Sequence, residues 1–237
     1  MKNKFCLFYE KGIGKIIPKY GFFSVIFCFV FNSLIYTGLQ ILMKNARHFD
    51  LTTDLDRAIP FVPEWSFVYL GCFLFWAVNY ILITRQEKER WFQFATGDYL
   101  SRMICGLFFI LLPTTNIRPE IVGDGFAETL MRFVYWIDKP TNLFPSIHCL
   151  VSWLCFVGIR GKSYIPKWYQ AFSCLFAIAV FASTLLTKQH YIVDVVAGVI
   201  IAELCYFIGT HTKLYHSVMG VFDKINRKAF GVNGYEK

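Results

Sequence analysis

Long stretches without charge constrain the fold of this chain more than any other feature. No charged residue lies between Lys19 and Lys44, and further apolar runs follow between short charged segments. A helix needs about 20 apolar residues to cross about 30 Å of hydrocarbon. The chain has 237 residues, of which 56% are hydrophobic. We therefore predict an all-α fold, in which residues 1–237 form one integral membrane domain built as a six-helix bundle.

The apolar runs predict where the six spans lie. A proline at 113 and the charged segment 85–90 mark two of their ends. Arg102 stands at the start of a short third span, where its charge is expected to extend towards the membrane surface. The basic, mildly amphipathic tail from His211 is expected to lie on that surface. The predicted spans cover residues 21–43, 65–84, 103–112, 145–158, 168–187 and 190–209.

The distribution of basic residues predicts the orientation of the bundle. Cytoplasmic loops carry an excess of lysine and arginine. With the N-terminus inside, most of the 24 lysines and arginines fall on the inner side. We therefore predict a multi-pass protein of the plasma membrane with cytoplasmic tails at about residues 1–20 and 211–237. This topology explains the net charge of +8, so no nucleic acid partner is expected.

Two histidines stand at the ends of apolar runs, and each has neighbours that suit catalysis. His190 and Asp194 are spaced i, i+4, which places them on one face of a helix. A carboxylate bonded to one ring nitrogen leaves the other nitrogen as a nucleophile. His148 follows Pro145 and Ser146, a pattern typical of a helix N-terminus, where free N–H groups and a hydroxyl can bind an anion. A histidine on that first turn can protonate a leaving alkoxide.

Two cations accompany the histidines. Arg118 offers a planar fork of donors for bidentate binding of phosphate. Lys188 can hold a phosphate oxygen as a point charge, or it can serve only as an anchor at the end of a span. The predicted orientation puts both cations and both histidines on the outer side. Together these residues suit phosphoryl transfer through a phosphohistidine, with the active site at the outer membrane face.

Other interpretations of the same residues stay open. Taken singly, each is also typical of a solvated loop, a helix start or a membrane interface. His148 and His190 could be ligands of a haem or a metal ion, although the neighbouring arginine and lysine would then have no role. A non-catalytic transporter or scaffold is a third possibility, against which stands the small number of polar residues inside the spans.

The order of these motifs resembles the type 2 phosphatidic acid phosphatase superfamily, which shares its catalytic core with vanadium haloperoxidases. The family has Lys-x6-Arg-Pro, then Pro-Ser-Gly-His, then Ser-Arg-x5-His-x3-Asp. The matching residues here are Arg118-Pro119, Pro145-Ser146-x-His148, Ser183 and His190-x3-Asp194. Six spans suit the whole chain.

The sequence also departs from the family pattern. Leu111 stands where the first lysine belongs, Ile147 replaces the glycine, and Thr184 replaces the arginine of the third motif. Lys188 is a candidate for one missing charge, and Arg132 or Lys139 for the other. The motifs Phe-Pro-Ser-Ile-His and Gln-His-Tyr-Ile-Val-Asp more closely resemble the branch that includes inositol phosphorylceramide synthases, which move a headgroup between lipids.

The resemblance implies a role for each residue. It implies a membrane lipid phosphatase that hydrolyses a phosphomonoester or diphosphate of a lipid, with a lipid headgroup phosphotransferase as the alternative. His190 attacks phosphorus, Asp194 orients His190, and His148 protonates the leaving group. The phosphoryl oxygens are held by Arg118, Ser146 and Lys188. We expect lipid phosphate and membrane lipids as partners, no cofactor and no metal, since the eight cysteines are scattered without CxxC spacing.

Overall fold

The computed structural model describes residues 4–231 and Tyr235. The remaining residues of the two predicted tails lie outside this range. Within the described residues the fold is all-α apart from one short strand pair, as predicted. The ten helices found there are α1 (Lys4–Lys11), α2 (Lys19–Leu42), α3 (Asp54–Ala58), α4 (Ser66–Thr84), α5 (Lys88–Leu111), α6 (Phe126–Ile137), α7 (Ile147–Ile159), α8 (Lys167–Leu186), α9 (Ile192–His211) and α10 (Leu214–Phe230).

Five of these helices are long and apolar enough to cross a membrane. They are α2, α4 with the preceding turn from Pro63, α5, α8 and α9. Prolines precede α2 and α8 as the capping residues Pro18 and Pro166, in line with the preference of proline for helix starts. These helices support the prediction of a membrane-spanning helical bundle.

The prediction for the third span is wrong. It placed the span at residues 103–112, whereas α5 runs from Lys88 to Leu111. Arg102 does not extend to the surface, because it is buried inside the bundle with its guanidinium 2.7 Å from the carboxylate of Asp98. The hydroxyl of Tyr80 donates to the same carboxylate at 2.7 Å. The hydropathy pattern of such a polar segment indicates a loop, although its polar groups form hydrogen bonds with one another inside the bundle.

The fourth apolar run forms a short, buried helix. At 1.5 Å per residue, the 13 residues of α7 span about 20 Å, less than the hydrocarbon thickness. Most of its side chains are buried, and it packs against α4, α8 and α9. The N-terminus of α7 is therefore packed among neighbouring residues rather than exposed.

Glycines let α9 approach two other helices closely. A Cβ atom at Gly209 would lie 2.3 Å from the carbonyl oxygen of Gln93 on α5. A Cβ atom at Gly198 would lie 2.9 Å from the carbonyl oxygen of Ser146, just before α7. Such separations leave no room for a side chain. The small residue at 198 thus sets how close the start of α7 comes to α9.

The connecting segments cover the end of the bundle where α7 and α9 begin. Strand β1 (Phe49–Asp50) pairs in parallel with strand β2 (Thr114–Thr115), which ties the loop before α4 to the loop after α5. Helix α6 packs against α4 through Met131, Val134 and Tyr69. At a separate position, α10 packs along α2 and α5, so its apolar face contacts the bundle.

Candidate active site

The two predicted catalytic histidines come together at the covered end of the bundle. His148 lies on the first turn of α7, and His190 lies in the turn before α9. Their ring centroids are 5.9 Å apart. The main chain reinforces this approach, because the N–H of Ser146 donates to the carbonyl oxygen of Asp194 at 3.2 Å.

His190 and Asp194 form the predicted pair, although not on one helix. Helix α9 begins at Ile192, so His190 precedes it. Nδ1 of His190 is 3.0 Å from Oδ2 of Asp194, and the same oxygen accepts the N–H of Tyr191 at 3.1 Å. Both side chains of the pair are nearly inaccessible to solvent. The carboxylate therefore holds the Nδ1 proton and leaves Nε2 of His190 with its lone pair.

His148 is surrounded by aromatic side chains. Its ring centroid lies 4.4 Å from that of Tyr69, 5.5 Å from that of Trp76 and 5.9 Å from that of Phe73. Nδ1 of His148 is 3.4 Å from the hydroxyl of Tyr69. Its Nε2 atom is buried and has no hydrogen-bond partner among the described residues. One ring nitrogen is thus free to meet a ligand.

Ser146 caps α7. Its hydroxyl oxygen accepts the N–H of Cys149 at 3.3 Å, the usual role of an N-cap serine. Ser146 is fully buried and is not among the residues that line the larger cavity described below. The hydroxyl proton of Ser146 is still available as a donor. The contact of Ser146 with phosphate stays a prediction.

A cavity of about 570 Å³ opens beside His190. It brings together three of the residues singled out from the sequence: Arg118, Lys188 and His190. Loops from distant parts of the chain complete it. The polar residues of its lining are Asp50, Thr52, Asp56, Arg57, Asn116, Arg118, Lys188, His190 and Tyr191.

Arg118 is held rigidly at this cavity. One terminal nitrogen of its guanidinium donates to the carbonyl oxygen of Asp138 at 2.6 Å, and the other donates to the side-chain oxygen of Gln189. The guanidinium carbon lies 4.5 Å from the ring centroid of Tyr135. Its Nε atom is buried and has no partner among the described residues. The arginine is therefore oriented by the protein and keeps one buried donor for a ligand.

Lys188 also faces this cavity, with part of its hydrogen-bonding capacity in use. Its ammonium donates to the carbonyl oxygens of Asp56, at 2.8 Å, and Ile59. An ammonium has three donors, so one remains. Burial lowers the pKa of Lys188, and the nearby Asp56 carboxylate partly offsets this effect. Its backbone has a φ of 54°, in the left-handed region that is costly for a residue with a side chain.

Leu111 and Thr184 stand at the two positions where the family pattern has a cation, and each has its own structural surroundings. Leu111 is exposed at the end of α5. Thr184 is buried, and its carbonyl oxygen accepts the N–H groups of Gln189 and His190, which shapes the turn before α9. The two candidate replacements, Arg132 and Lys139, line neither cavity at the histidines. Arg57 does line the larger one.

A second, smaller cavity of about 200 Å³ lies on the His148 side. Its lining is largely aromatic and aliphatic, and it includes the carboxylate residue Asp138. Neither Asp138 nor Arg57 was singled out from the sequence, because no local motif surrounds them. Gln189, beside His190 in the chain, was also overlooked. The histidine pair thus stands between a polar cavity and an apolar one.

Comparison with known proteins shows the superfamily to which the chain belongs. In this all-α bundle with five candidate membrane spans, Arg118 and His190 line one cavity and His148 lines the neighbouring one. The sequence profile of the PAP2 superfamily matches residues 49–208, and the chain belongs to this superfamily. The match includes every predicted site residue.

A shorter similarity links the chain to an archaeal protein. It is 32% identical over 102 residues to an uncharacterized protein of Methanocaldococcus jannaschii, over 42% of this chain and 41% of that protein. The chain therefore matches less than half the length of this relative. No solved structure matches the chain. Among the described residues, no group of three or more histidine, cysteine or acidic side chains is arranged to hold a metal ion.

Proposed function

We propose that this protein is a membrane lipid phosphatase that acts through a phosphohistidine at His190. The observation that carries the proposal is a set of buried nitrogen atoms around the histidine pair. Nε2 of His148, Nε of Arg118 and Nε2 of Gln189 lack partners among the described residues. Buried polar groups are normally hydrogen-bonded, so unpaired nitrogens on separate segments suit a bound anion such as a phosphoryl group.

The geometry suits a two-step displacement. Nε2 of His190 attacks phosphorus, and the negative charge of Asp194 stabilises the ring as it becomes positive. His148 gives a proton to the departing oxygen as its bond to phosphorus breaks. In the second step His148 takes a proton from water, and the resulting hydroxyl attacks phosphorus and releases His190. Arg118 and Lys188, with the Ser146 hydroxyl, hold the phosphoryl oxygens.

The site is proposed to face the outer side of the plasma membrane. The loops at the opposite end of the bundle carry Arg85, Arg90, Arg160 and Lys162. Such basic loops are typical of the cytoplasmic side. Both termini would then be cytoplasmic, and membrane lipids would surround the spans. Labelling of a cysteine introduced for Val122, an exposed loop residue near the site, tests this orientation in intact cells.

Headgroup transfer is a second candidate, favoured by the size of the polar cavity. Its volume of about 570 Å³ is within the range of pockets that hold a whole small molecule. The carboxylates of Asp50 and Asp56 line it and could accept hydrogen bonds from headgroup hydroxyls. A phosphodiester could place its polar headgroup there and its lipid alcohol at His148. The acceptor in the second step would then be an alcohol instead of water.

A lipid-panel assay with two readouts tests both candidates. The purified protein is given phosphatidic acid, a lipid diphosphate and phosphodiester lipids, and both free phosphate and new lipid species are measured. We expect His190→Ala and His148→Ala to abolish turnover while folding is retained. His216→Ala serves as the control because His216 is exposed on α10. Wild-type turnover in either site variant would overturn the proposal, and new lipid species would identify a transferase.

A further inference from the structure

One carboxylate behind the smaller cavity binds two tyrosines. Tyr36 donates its hydroxyl proton to Oδ1 of Asp138, and Tyr69 donates its hydroxyl proton to Oδ2. Asp138 directly follows α6, whereas the tyrosines lie on α2 and α4. Only Tyr69 also contacts His148, through the ring and through its hydroxyl. The two tyrosines therefore share a hydrogen bond to Asp138 and differ in their contact with His148.

The direction of these hydrogen bonds determines the tautomer of His148. Because the proton of Tyr69 points to Asp138, the oxygen of Tyr69 can only accept a hydrogen bond from the histidine. Nδ1 of His148 must then carry a proton. Nε2 carries a lone pair when the ring is neutral, and an exchangeable proton when the ring is charged. The separation of 3.4 Å is long for such a bond, as is common in catalytic sites without substrate.

We propose that Asp138 and Tyr69 are positioning residues for His148, which they hold with a proton on Nδ1 and with Nε2 towards the reacting oxygen. This inference rests on the proposed role of His148 as the general acid. Each histidine is then oriented at Nδ1 by an acidic residue. Asp194 bonds to His190 directly, whereas Asp138 acts on His148 through Tyr69.

Asp138 links this arrangement to the phosphate site as well. Its backbone carbonyl oxygen accepts a hydrogen bond from Arg118 at 2.6 Å, while its carboxylate holds Tyr69. The residue is thus bonded both to the cation at the larger cavity and to the tyrosine beside the general acid. A displacement of Asp138 would disturb both sides of the histidine pair.

The test compares Tyr69→Phe with Tyr36→Phe. Each variant removes one hydroxyl that donates to Asp138, so both lose the same kind of hydrogen bond. We expect Tyr69→Phe to lower kcat about tenfold, the effect of one lost hydrogen bond. We also expect the alkaline limb of its kcat–pH profile to move to lower pH, because the protonated ring loses its partner. Tyr36→Phe keeps the hydroxyl of Tyr69 beside Nδ1 of His148, so it should move this limb less than Tyr69→Phe does.

A second variant and a second readout cover the case in which Tyr69→Phe does not fold. Asp138→Asn keeps the shape of the side chain and removes its charge. The alkaline limb of the kcat–pH profile of this variant should also move to lower pH. Nitrogen NMR of the full-length protein with ¹⁵N-histidine should show His148 protonated at Nδ1 in the wild type and in Tyr36→Phe. That tautomer should be depleted in Tyr69→Phe.

The outcomes separate this inference from the proposed function. Equal pH profiles for the Tyr69 and Tyr36 variants, or a wild-type His148 that carries its proton on Nε2, would overturn the inference. A wild-type protein without turnover on any lipid would contradict the proposed function instead. The NMR measurement would still decide the tautomer of His148 in that case, since it requires no substrate.

Discussion

The ring centroid of His148, on the first turn of α7, lies 5.9 Å from that of His190, in the turn before α9. This distance follows from the close approach of α7 and α9. The N–H of Ser146 reaches the carbonyl oxygen of Asp194, and Gly198 leaves space for the start of α7. The relative position of the two helix starts therefore controls the geometry of the site.

Replacement of Gly198 by alanine should disrupt that geometry. The new Cβ atom would lie 2.9 Å from the main-chain oxygen of Ser146, so α7 and α9 must move apart. A misplacement of about 1 Å between reacting groups can reduce the rate about 100-fold, and we expect a loss of kcat of that order. Gly220→Ala is the control, because no atom lies within 4 Å of its Cβ position. Full activity of Gly198→Ala would show that the helices can separate without harm to catalysis.

Arg118→Lys should impair substrate binding despite the conserved charge. A lysine cannot reproduce the planar fork that donates to Asp138 and Gln189 and that we propose also holds a phosphoryl oxygen. Loss of a charged hydrogen bond costs about 2 kcal/mol, which corresponds to a decrease in kcat/KM of about 30-fold. The matched control is Arg132→Lys, which changes an arginine that lines neither cavity. Equal kcat/KM values for the two variants would contradict a phosphate-binding role for Arg118.

The charge of Lys188 should give activity a dependence on alkaline pH. Because burial lowers the pKa of this ammonium, it loses its proton at a lower pH than a free lysine does. Phosphate binding is then complete below that pKa and weakens as the pH rises through it, so KM should rise. In Lys188→Arg the guanidinium stays charged up to about pH 12, so the rise in KM should disappear. An unchanged rise in the arginine variant would assign the alkaline limb to another group.

The buried ion pair of α5 should stabilise the fold only while both of its charges are present. Arg102→Ala leaves the carboxylate of Asp98 buried without its partner, and we expect a loss of about 3–5 kcal/mol in the free energy of unfolding. A double variant with leucine at both positions should be less destabilised than this single variant. Unfolding in detergent measures both values. A double variant that is as unstable as Arg102→Ala would indicate that the charges are not the cause.

The sequence predicted the parts of the site that depend on short-range patterns. The pairing of His190 with Asp194 needs only four residues of chain, and it forms even though α9 starts later than expected. Arg118 and His148 were found because each belongs to a recognisable local motif. Helical class and membrane character followed from the apolar runs alone, and the superfamily was confirmed by the profile match.

The sequence could not predict contacts between distant segments. Asp138 and Tyr69 are far apart in the chain, and neither stands in a motif, so only the fold shows that they meet at His148. Arg57 reaches the larger cavity on the short helix α3, whose position in the fold local patterns do not determine. The third span was misplaced for a related reason: Asp98 and Arg102 resemble a loop until their mutual contact is known.

Trapping of the covalent intermediate tests the central claim most directly. An activated aryl phosphate needs no proton from His148 to release its alcohol, so His148→Ala should form the phosphohistidine and fail to hydrolyse it. Rapid quenching at alkaline pH, followed by peptide mass spectrometry, should then find phosphate on His190 in this variant and none in His190→Ala. Phosphate on a different residue, or turnover of this substrate by His190→Ala, would contradict the account.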